Sequence, residues 1–323
     1  MSNSPFLSSC TAETIRDAAA ALRAGHLVAF PTETVYGLGA DARNPTAVKR
    51  IYEVKGRPSD HPLIVHISSI NQLGKWASEI PDYAITLGRN FWPGPMTLIL
   101  KRTDMAEDFI TGAQDTVGLR VPSDPIALSL IQEFEKISNS AIAAPSANRF
   151  GQVSPTSSSD VYEELGEFLA NSDIVLNGGN SSIGIESTII DCTGSAPTIL
   201  RPGYLTKEEI YLKLGIQCEE STTQSPIRFS GSFEKHYAPN CKVILGEFVL
   251  NGAGLLALEE VETPENMIRL GSPKTLEDFA RVLYSTFRRA DREGLDSIVV
   301  HPPKEIGIGV AIIERLKKAE QGR

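Results

Sequence analysis

The sequence predicts an α/β protein in which one large, twisted, mixed sheet with helices is followed by a small α/β domain of Rossmann-like rhythm. Three observations carry this. Helical and strand periodicities alternate from residue 11 onward. Several apolar runs follow one another with connections too short for a crossover helix, so antiparallel pairs must enter the sheet. A polar stretch rich in Ser, Thr and Pro, CEESTTQSPIRFSGSFEKHYAPN at 218–240, separates two periodic regions. At 323 residues the chain also exceeds the roughly 250–300 residues at which a single core stops growing. The expected division is therefore a first domain at 1–217, a linker at 218–240 and a second domain at 241–323.

Taken in order, Ile15, Ala18, Ala19 and Leu22 recur at helical spacing between a capping Thr11 and Gly25. Residues 27–30 form an apolar strand. Asn44 then offers an N-cap with Pro45 at the first helical position, and Val48, Ile51 and Tyr52 continue a stripe ending at Gly56-Arg57-Pro58. Residues 63–67 are the next strand. Further strands are expected at 97–101, 117–121, 141–144, 174–177, 188–191 and 198–200, with helices around 126–134 and 208–214. In the second domain, strands near 243–245, 254–258 and 297–300 alternate with helices near 276–291 and 310–318.

Composition removes several classes of function. Cys10, Cys192, Cys218 and Cys241 lie far apart, without a CxxC pair or a histidine at zinc spacing, which argues against a disulfide framework and a structural zinc and for a reducing, cytosolic setting. No apolar run reaches the 18 residues of a membrane helix, and the N-terminus lacks a basic region followed by an apolar one, so a soluble, cytoplasmic protein with no membrane partner is expected. A net charge of −9 removes the footprint of a general nucleic-acid binder, so any anionic ligand must meet a local cationic pocket. Arg288, Arg289 and Arg292 read as a solvated helix face.

Two motifs that look like phosphate cradles fail on context. Gly37-Leu38-Gly39-Ala40-Asp41-Ala42 matches GxGxxA in letters, but its glycines do not run from a strand directly into a helix, which starts only at Asn44-Pro45. No GxxxxGK[ST] occurs. Lys55-Gly56-Arg57 and Ser146-Ala147-Asn148 are more informative, since residues two apart in extended chain point to one side. Lys and Arg can neutralise a polyphosphate, while Ser and Asn can fix phosphate or nucleoside groups. Taken alone, Lys55 and Arg57 read first as helix-end charges that complement the dipole, and Ser146 and Asn148 equally as turn residues. His66 and Arg120 interrupt apolar strands, and a half-buried guanidinium needs an anion, from the protein or from a substrate. Nothing supplies a serine nucleophile with a recognisable triad.

Together, FPTETVYGLGADA (30–42), KGRPSDHPLIVHI (55–67), WPGPMTLIL (92–100), GLRVP (118–122), APSANRFGQVSPT (144–156) and IESTIID (185–191) closely resemble the long-form threonylcarbamoyl-AMP synthases. The resemblance spans a YrdC-type domain, about residues 12–215, and continues through HYAP (236–239) and GIGVAIIERLKKA (307–319). It implies a YrdC-like twisted mixed sheet plus a Rossmann-like domain. It also implies a nucleotidyltransferase that joins L-threonine, bicarbonate and ATP into threonylcarbamoyl-AMP and pyrophosphate, serving tRNA modification through a downstream threonylcarbamoyl-transfer machinery. Mg²⁺ would accompany ATP, with no metal or organic cofactor held by the protein.

Carried over residue by residue, the resemblance makes Lys55, Arg57, Ser146 and Asn148 a catalytic quartet around the triphosphate. Thr34, His66, Arg120, Ser187 and the backbone at Ala144 would hold threonine, with Arg120 on its carboxylate. His61, Thr116, Ser154 and Arg201 would line the ATP site. The linker departs from the PGM-type stretch of many relatives, reading Ser230-Gly231-Ser232-Phe233-Glu234-Lys235; the resemblance leaves Phe233, Glu234 and His236 open as its nucleotide contact, and Glu234 would serve in the ATP site only with a metal or Lys235 screening its charge. Two other readings follow from related domains. One is a carbamoyltransferase making a carbamoyl adenylate, which would carry paired-cysteine zinc modules that this sequence lacks. The other is a tRNA-binding module without turnover, recognisable by salt-sensitive affinity.

Overall fold

In the computed structural model, which describes residues 7–220, 227–231 and 237–322, six of the helices start at a side chain that satisfies an orphan amide, namely Thr11, Asn44, Asp124, Ser157, Thr206 and Thr275. The first, α1 (Ala12–Arg23), is capped by Thr11 and buries Ile15, Ala18, Ala19 and Leu22. In α2 (Pro45–Lys55), Asn44 caps Ala47 and Gly56 ends the helix at φ 59°, a left-handed conformation that glycine adopts at no steric cost. The remaining helices are α3 (Leu73–Trp76), α4 (Asp82–Phe91), α5 (Asp108–Thr111), α6 (Pro125–Ile137), α7 (Ser158–Leu165), α8 (Lys207–Leu214), α9 (Leu276–Arg292) and α10 (Gly309–Glu320).

The strands of the large sheet are β1 (Leu7–Ser9), β2 (Val28–Phe30), β3 (Gly37–Asp41), β4 (Ile64–His66), β5 (Ala77–Ser78), β6 (Met96–Arg102), β7 (Thr116–Arg120), β8 (Ile142–Ala144), β9 (Ile174–Asn177), β10 (Thr188–Asp191), β11 (Thr198–Arg201) and β12 (Glu219–Glu220). Their order is β1-β9-β2-β3-β8-β4-β7-β6-β10-β11-β12, with β5 alongside β6. Parallel pairs such as β1-β9 and β4-β7 occur beside antiparallel ones such as β2-β3, β3-β8 and β8-β4, so the sheet is mixed as the short connections require.

The GxGxxA letters prove to be strand β3. Its glycines serve packing: a Cβ at Gly39 would come within 2.7 Å of Ile142 and 2.9 Å of Phe30. Val65, Leu98, Leu119 and Ala143 point into the main apolar core on one face of the sheet. α1 and α6 close another core with Phe30, Ile142 and Ala144.

The second sheet is parallel throughout, in the order β13-β16-β14-β15, formed by β13 (Lys242–Leu245), β14 (Gly254–Leu256), β15 (Ile268–Gly271) and β16 (Ser297–Val300). Strand β15 escapes the sequence reading because Ile268-Arg269-Leu270-Gly271 is short and interrupted by a charge. Its arginine donates to Ala257 O and Leu258 O at 2.8 and 2.7 Å. The core of this second unit takes in Val35, Val153 and Ile185 from the first, so apolar packing is continuous across the two.

Candidate active site

Strand register builds one cavity on the sheet face opposite the main core. His66 in β4 is the partner of Arg120 in β7, and Ile64, two residues earlier and so on the same face, is the partner of Ala144 in β8. The turn between β2 and β3 brings Thr32 and Thr34 to the same cavity, and Gly37 bridges Ser146. Ser187 just before β10 and Arg201 at the end of β11 complete the wall, with Ser230, Gly231 and Tyr237 across from them.

Two guanidiniums converge on Ser230. Arg57 Nη2 donates to Pro62 O at 2.9 Å and Ser230 Oγ at 3.3 Å, while Arg201 Nη1 donates to Ser230 O at 2.7 Å. Arg57 Nε is buried without a partner among the described residues. Burial, with Arg201 adding to it, lowers the Arg57 guanidinium to about 10, so it remains cationic at neutral pH. Lys55 stands behind this wall, not in it. Its ammonium donates to the carbonyls of Ser146 and Asn148, fixing the loop that carries them. Burial, then Arg57, holds the Lys55 ammonium well below the ordinary lysine range. Asn148 also faces inward, donating to Arg149 O and Gln152 O at 2.8 Å each; only Ser146 and Arg57 of the four line the cavity.

The protein itself supplies an anion for Arg120. Its Nη2 donates to Glu33 Oε1 at 2.8 Å and Thr34 Oγ1 at 2.9 Å, and both members of the ion pair are about 6% exposed. Glu33 Oε2 and Arg120 Nε are left without partners among the described residues. Nearby, Arg201 donates to Ser187 O, and Ser187 Oγ lies 2.8 Å from Thr97 Oγ1.

His66 is buried against the edge of the Phe30 ring, 5.9 Å away. Burial, then Arg120, lowers its imidazole to about 3, so it is neutral at pH 7. A group that binds its proton less readily when folded stabilises the fold above its unfolded pKa and loses that contribution as pH falls through the folded value. Unfolding free energy, followed through the melting temperature, should therefore decline as pH drops from about 6.5 towards 3, by up to about 1.4 kcal/mol per pH unit from this residue. In His66→Gln the part of the decline above pH 5 should flatten; an unchanged slope would assign it to other groups.

Other predicted residues lie outside the cavity wall. His61 is buried beside Phe150, ring centres 6.1 Å apart, with its imidazole lowered by burial and by Arg57. Thr116 begins β7, opposite Lys101 and four residues from Arg120. Ser154 is fully buried and donates to Glu186 Oε1 at 2.6 Å. Phe233, Glu234 and His236 lie outside the described residues. Sequence reasoning missed Glu33, Glu186 and Tyr237; the first two sit inside the recognised strings PTETVYG and IESTIID, where an acidic residue beside a pocket threonine or serine is the available signal.

The solvated face expected of these three arginines is overturned at Arg288. Arg288 is buried, pairing with Glu164 at 3.2 Å and donating to Val153 O, and Arg292 reaches Asp160 and Glu163 at 2.6 and 2.7 Å. Both dock α9 on the first unit, but Arg292 stays 46% exposed and Arg289, paired with Glu293, is 50% exposed, so these two remain on a solvated face as expected.

A family model described as "Telomere recombination" matches residues 20–203, and one described as "Threonylcarbamoyl-AMP synthase, C-terminal domain" matches 205–320. A threonylcarbamoyl-AMP synthase of Pyrococcus abyssi is 42% identical, over 94% of this chain and 93% of its own. One of Bacillus subtilis is 40% identical, over 96% and 93%. The crystal structure of the P. abyssi protein complexed with L-threonine aligns at a TM-score of 0.87 and 39% identity, covering 98% of both chains.

Proposed function

The chain belongs to the threonylcarbamoyl-AMP synthase family, which condenses L-threonine, bicarbonate and ATP into threonylcarbamoyl-AMP and pyrophosphate, and on that premise we propose a division of labour within its cavity. Arg120 takes the threonine carboxylate, sharing its guanidinium with Glu33. Thr34 and Ser187 offer hydroxyls to the same amino acid. The neutral His66 lines the pocket without adding a second positive charge. The threonine amine adds to the carbon of bicarbonate with loss of water to give a carbamate, and a carbamate oxygen attacks the α-phosphorus of ATP as pyrophosphate leaves.

Arg57 and Arg201 face the phosphates. Negative charge developing on the phosphoryl oxygens is met by fixed cations, so positioning and electrostatics supply most of the rate without a protein nucleophile. Lys55 serves by holding the carbonyls of Ser146 and Asn148, which sets where the Ser146 hydroxyl meets the nucleotide. Mg²⁺ enters with ATP as part of the substrate, and the adenylate passes to a tRNA-modifying transferase in the cytoplasm. His61, Thr116 and Ser154 shape the nucleotide end from behind the wall, and residues 218–240 act as the linker between the two units.

One observation carries this reading. The cation pair Arg57 and Arg201 and, separately, Arg120, which is held by Glu33, line a single cavity, which gives two anionic substrates two distinct anchors. Pyrophosphate release by the purified chain should require L-threonine and bicarbonate together, since neither alone can furnish the attacking carbamate. Release that ignores threonine would sink it. Among the described residues no helix is long and apolar enough to cross a membrane.

A further inference from the structure

We infer that Arg315, from the last helix of the small domain, is a positioning residue for the catalytic cavity, acting through the Glu186 carboxylate on Ser154 and Ser187. This rests on the adenylate-forming reading above and adds to it a part played by the second unit.

Glu186 belongs to the first unit and lines the cavity, yet its carboxylate is shared between the two. Oε1 accepts from Ser154 Oγ at 2.6 Å. Oε2 accepts from Tyr284 Oη in α9 at 2.9 Å and from Arg315 Nε in α10 at 3.2 Å. Arg315 is fully buried and also donates to Pro202 O at 2.7 Å, next to the Arg201 that holds Ser187 O. Its guanidinium carbon sits 5.5 Å from the centre of the Tyr237 ring, which stacks on Tyr284. One side chain from the small domain thus touches both segments that flank Ser187, at Glu186 and at Pro202.

A buried cation is costly to maintain, and replacing such pairs by apolar groups is often neutral for stability, so folding alone does not account for it. Its placement accounts for it better. With Arg315 gone, the Glu186 carboxylate keeps Arg201 as its remaining nearby cation, and Ser154 and Ser187 lose a fixed reference. Burial alone would raise Glu186, but Arg315 and then Arg201 outweigh it and hold the carboxylate down at about 2. The groups facing it are Ser154 and Arg201 from the first unit, Tyr237 near the end of the linker, Tyr284 from α9, and Arg315 from α10; the neighbouring Glu314 pairs with both Arg315 and Lys318.

The test uses the full chain and threonine-dependent pyrophosphate release. Arg315→Met should remain folded by circular dichroism and lose roughly tenfold to a hundredfold in kcat/KM, the scale of a misplaced reactive geometry. The acid limb of its pH profile should move upward, because the carboxylate then protonates more readily. Adding Glu186→Gln should abolish that shift, and Arg315→Lys should recover part of the rate. A folded Arg315→Met with unchanged kcat, KM and pH profile overturns the assignment, as does a loss of stability alone. Should Arg315→Met fail to fold, Tyr284→Phe deletes one hydroxyl on the same oxygen, and wild-type kinetics with a wild-type pH profile there would be equally fatal. Wild-type protein lacking threonine dependence would instead refute the proposed function, which keeps the two failures apart.

Discussion

Arg57→Ala should abolish most turnover while leaving the protein as stable as before or more so. The guanidinium is buried against a carbonyl and a hydroxyl, without a carboxylate partner at salt-bridge distance among the described residues, and its Nε makes no hydrogen bond there. Such a charge costs solvation that the fold does not recover, so its removal relieves the native state. Catalysis responds oppositely, since a preorganised cation facing developing phosphoryl charge is worth on the order of 10²–10³ in rate. Steady-state pyrophosphate release and thermal melting, run on one preparation, check both halves. Wild-type turnover, or an unfolded chain, would contradict the phosphate role.

Arg120→Met should lose threonine binding and destabilise the protein together, because deleting one partner of a buried pair strands the other. With both side chains about 6% exposed, an uncompensated Glu33 should cost about 3–5 kcal/mol. Adding Glu33→Gln should restore most of that stability, since neither charge then remains, but no threonine affinity. Urea unfolding and calorimetric titration with L-threonine separate the two effects. A double variant that binds threonine normally would remove Arg120 from the carboxylate site, and a single variant as stable as wild type would deny the strain.

What the sequence made legible is local. The cap at Asn44, the stop at Gly56 and most of the strands follow from patterns a few residues wide, and the structure places them within two residues of expectation. Among the expected site residues, Thr34, Arg57, His66, Arg120, Ala144, Ser146, Ser187 and Arg201 do line one cavity. Pairing was not legible. That a strand arginine needs an anion can be read from Val117 to Val121, but choosing between Glu33 and a substrate requires knowing that the β2–β3 turn folds over β7. Arg288 shows the same limit: helical periodicity assigns a face, whereas the partner Glu164 lies 124 residues away and appears only when the units dock. Lys55 marks a subtler one, since its letters identify the motif but not that its ammonium faces backbone carbonyls.

The order of strands across the large sheet bears on how the protein comes into being during synthesis. β2 lies between β9 and β3, and β8 is inserted between β3 and β4, so neighbours in space are often remote in the chain. The cavity draws on residues from Thr32 to Tyr237, and no early fragment contains more than a part of its wall. Long-range pairing of this kind is slow, because chain closure must be completed before the contacts reward it. A nascent chain halted before β10 would leave residues 96–99 of β6 unpaired on the edge that β10 later covers, an open template for aggregation. Ribosome-stalled chains ending near residue 185 should therefore bind chaperones strongly, and the affinity should fall once β10 and β11 have emerged and closed that edge.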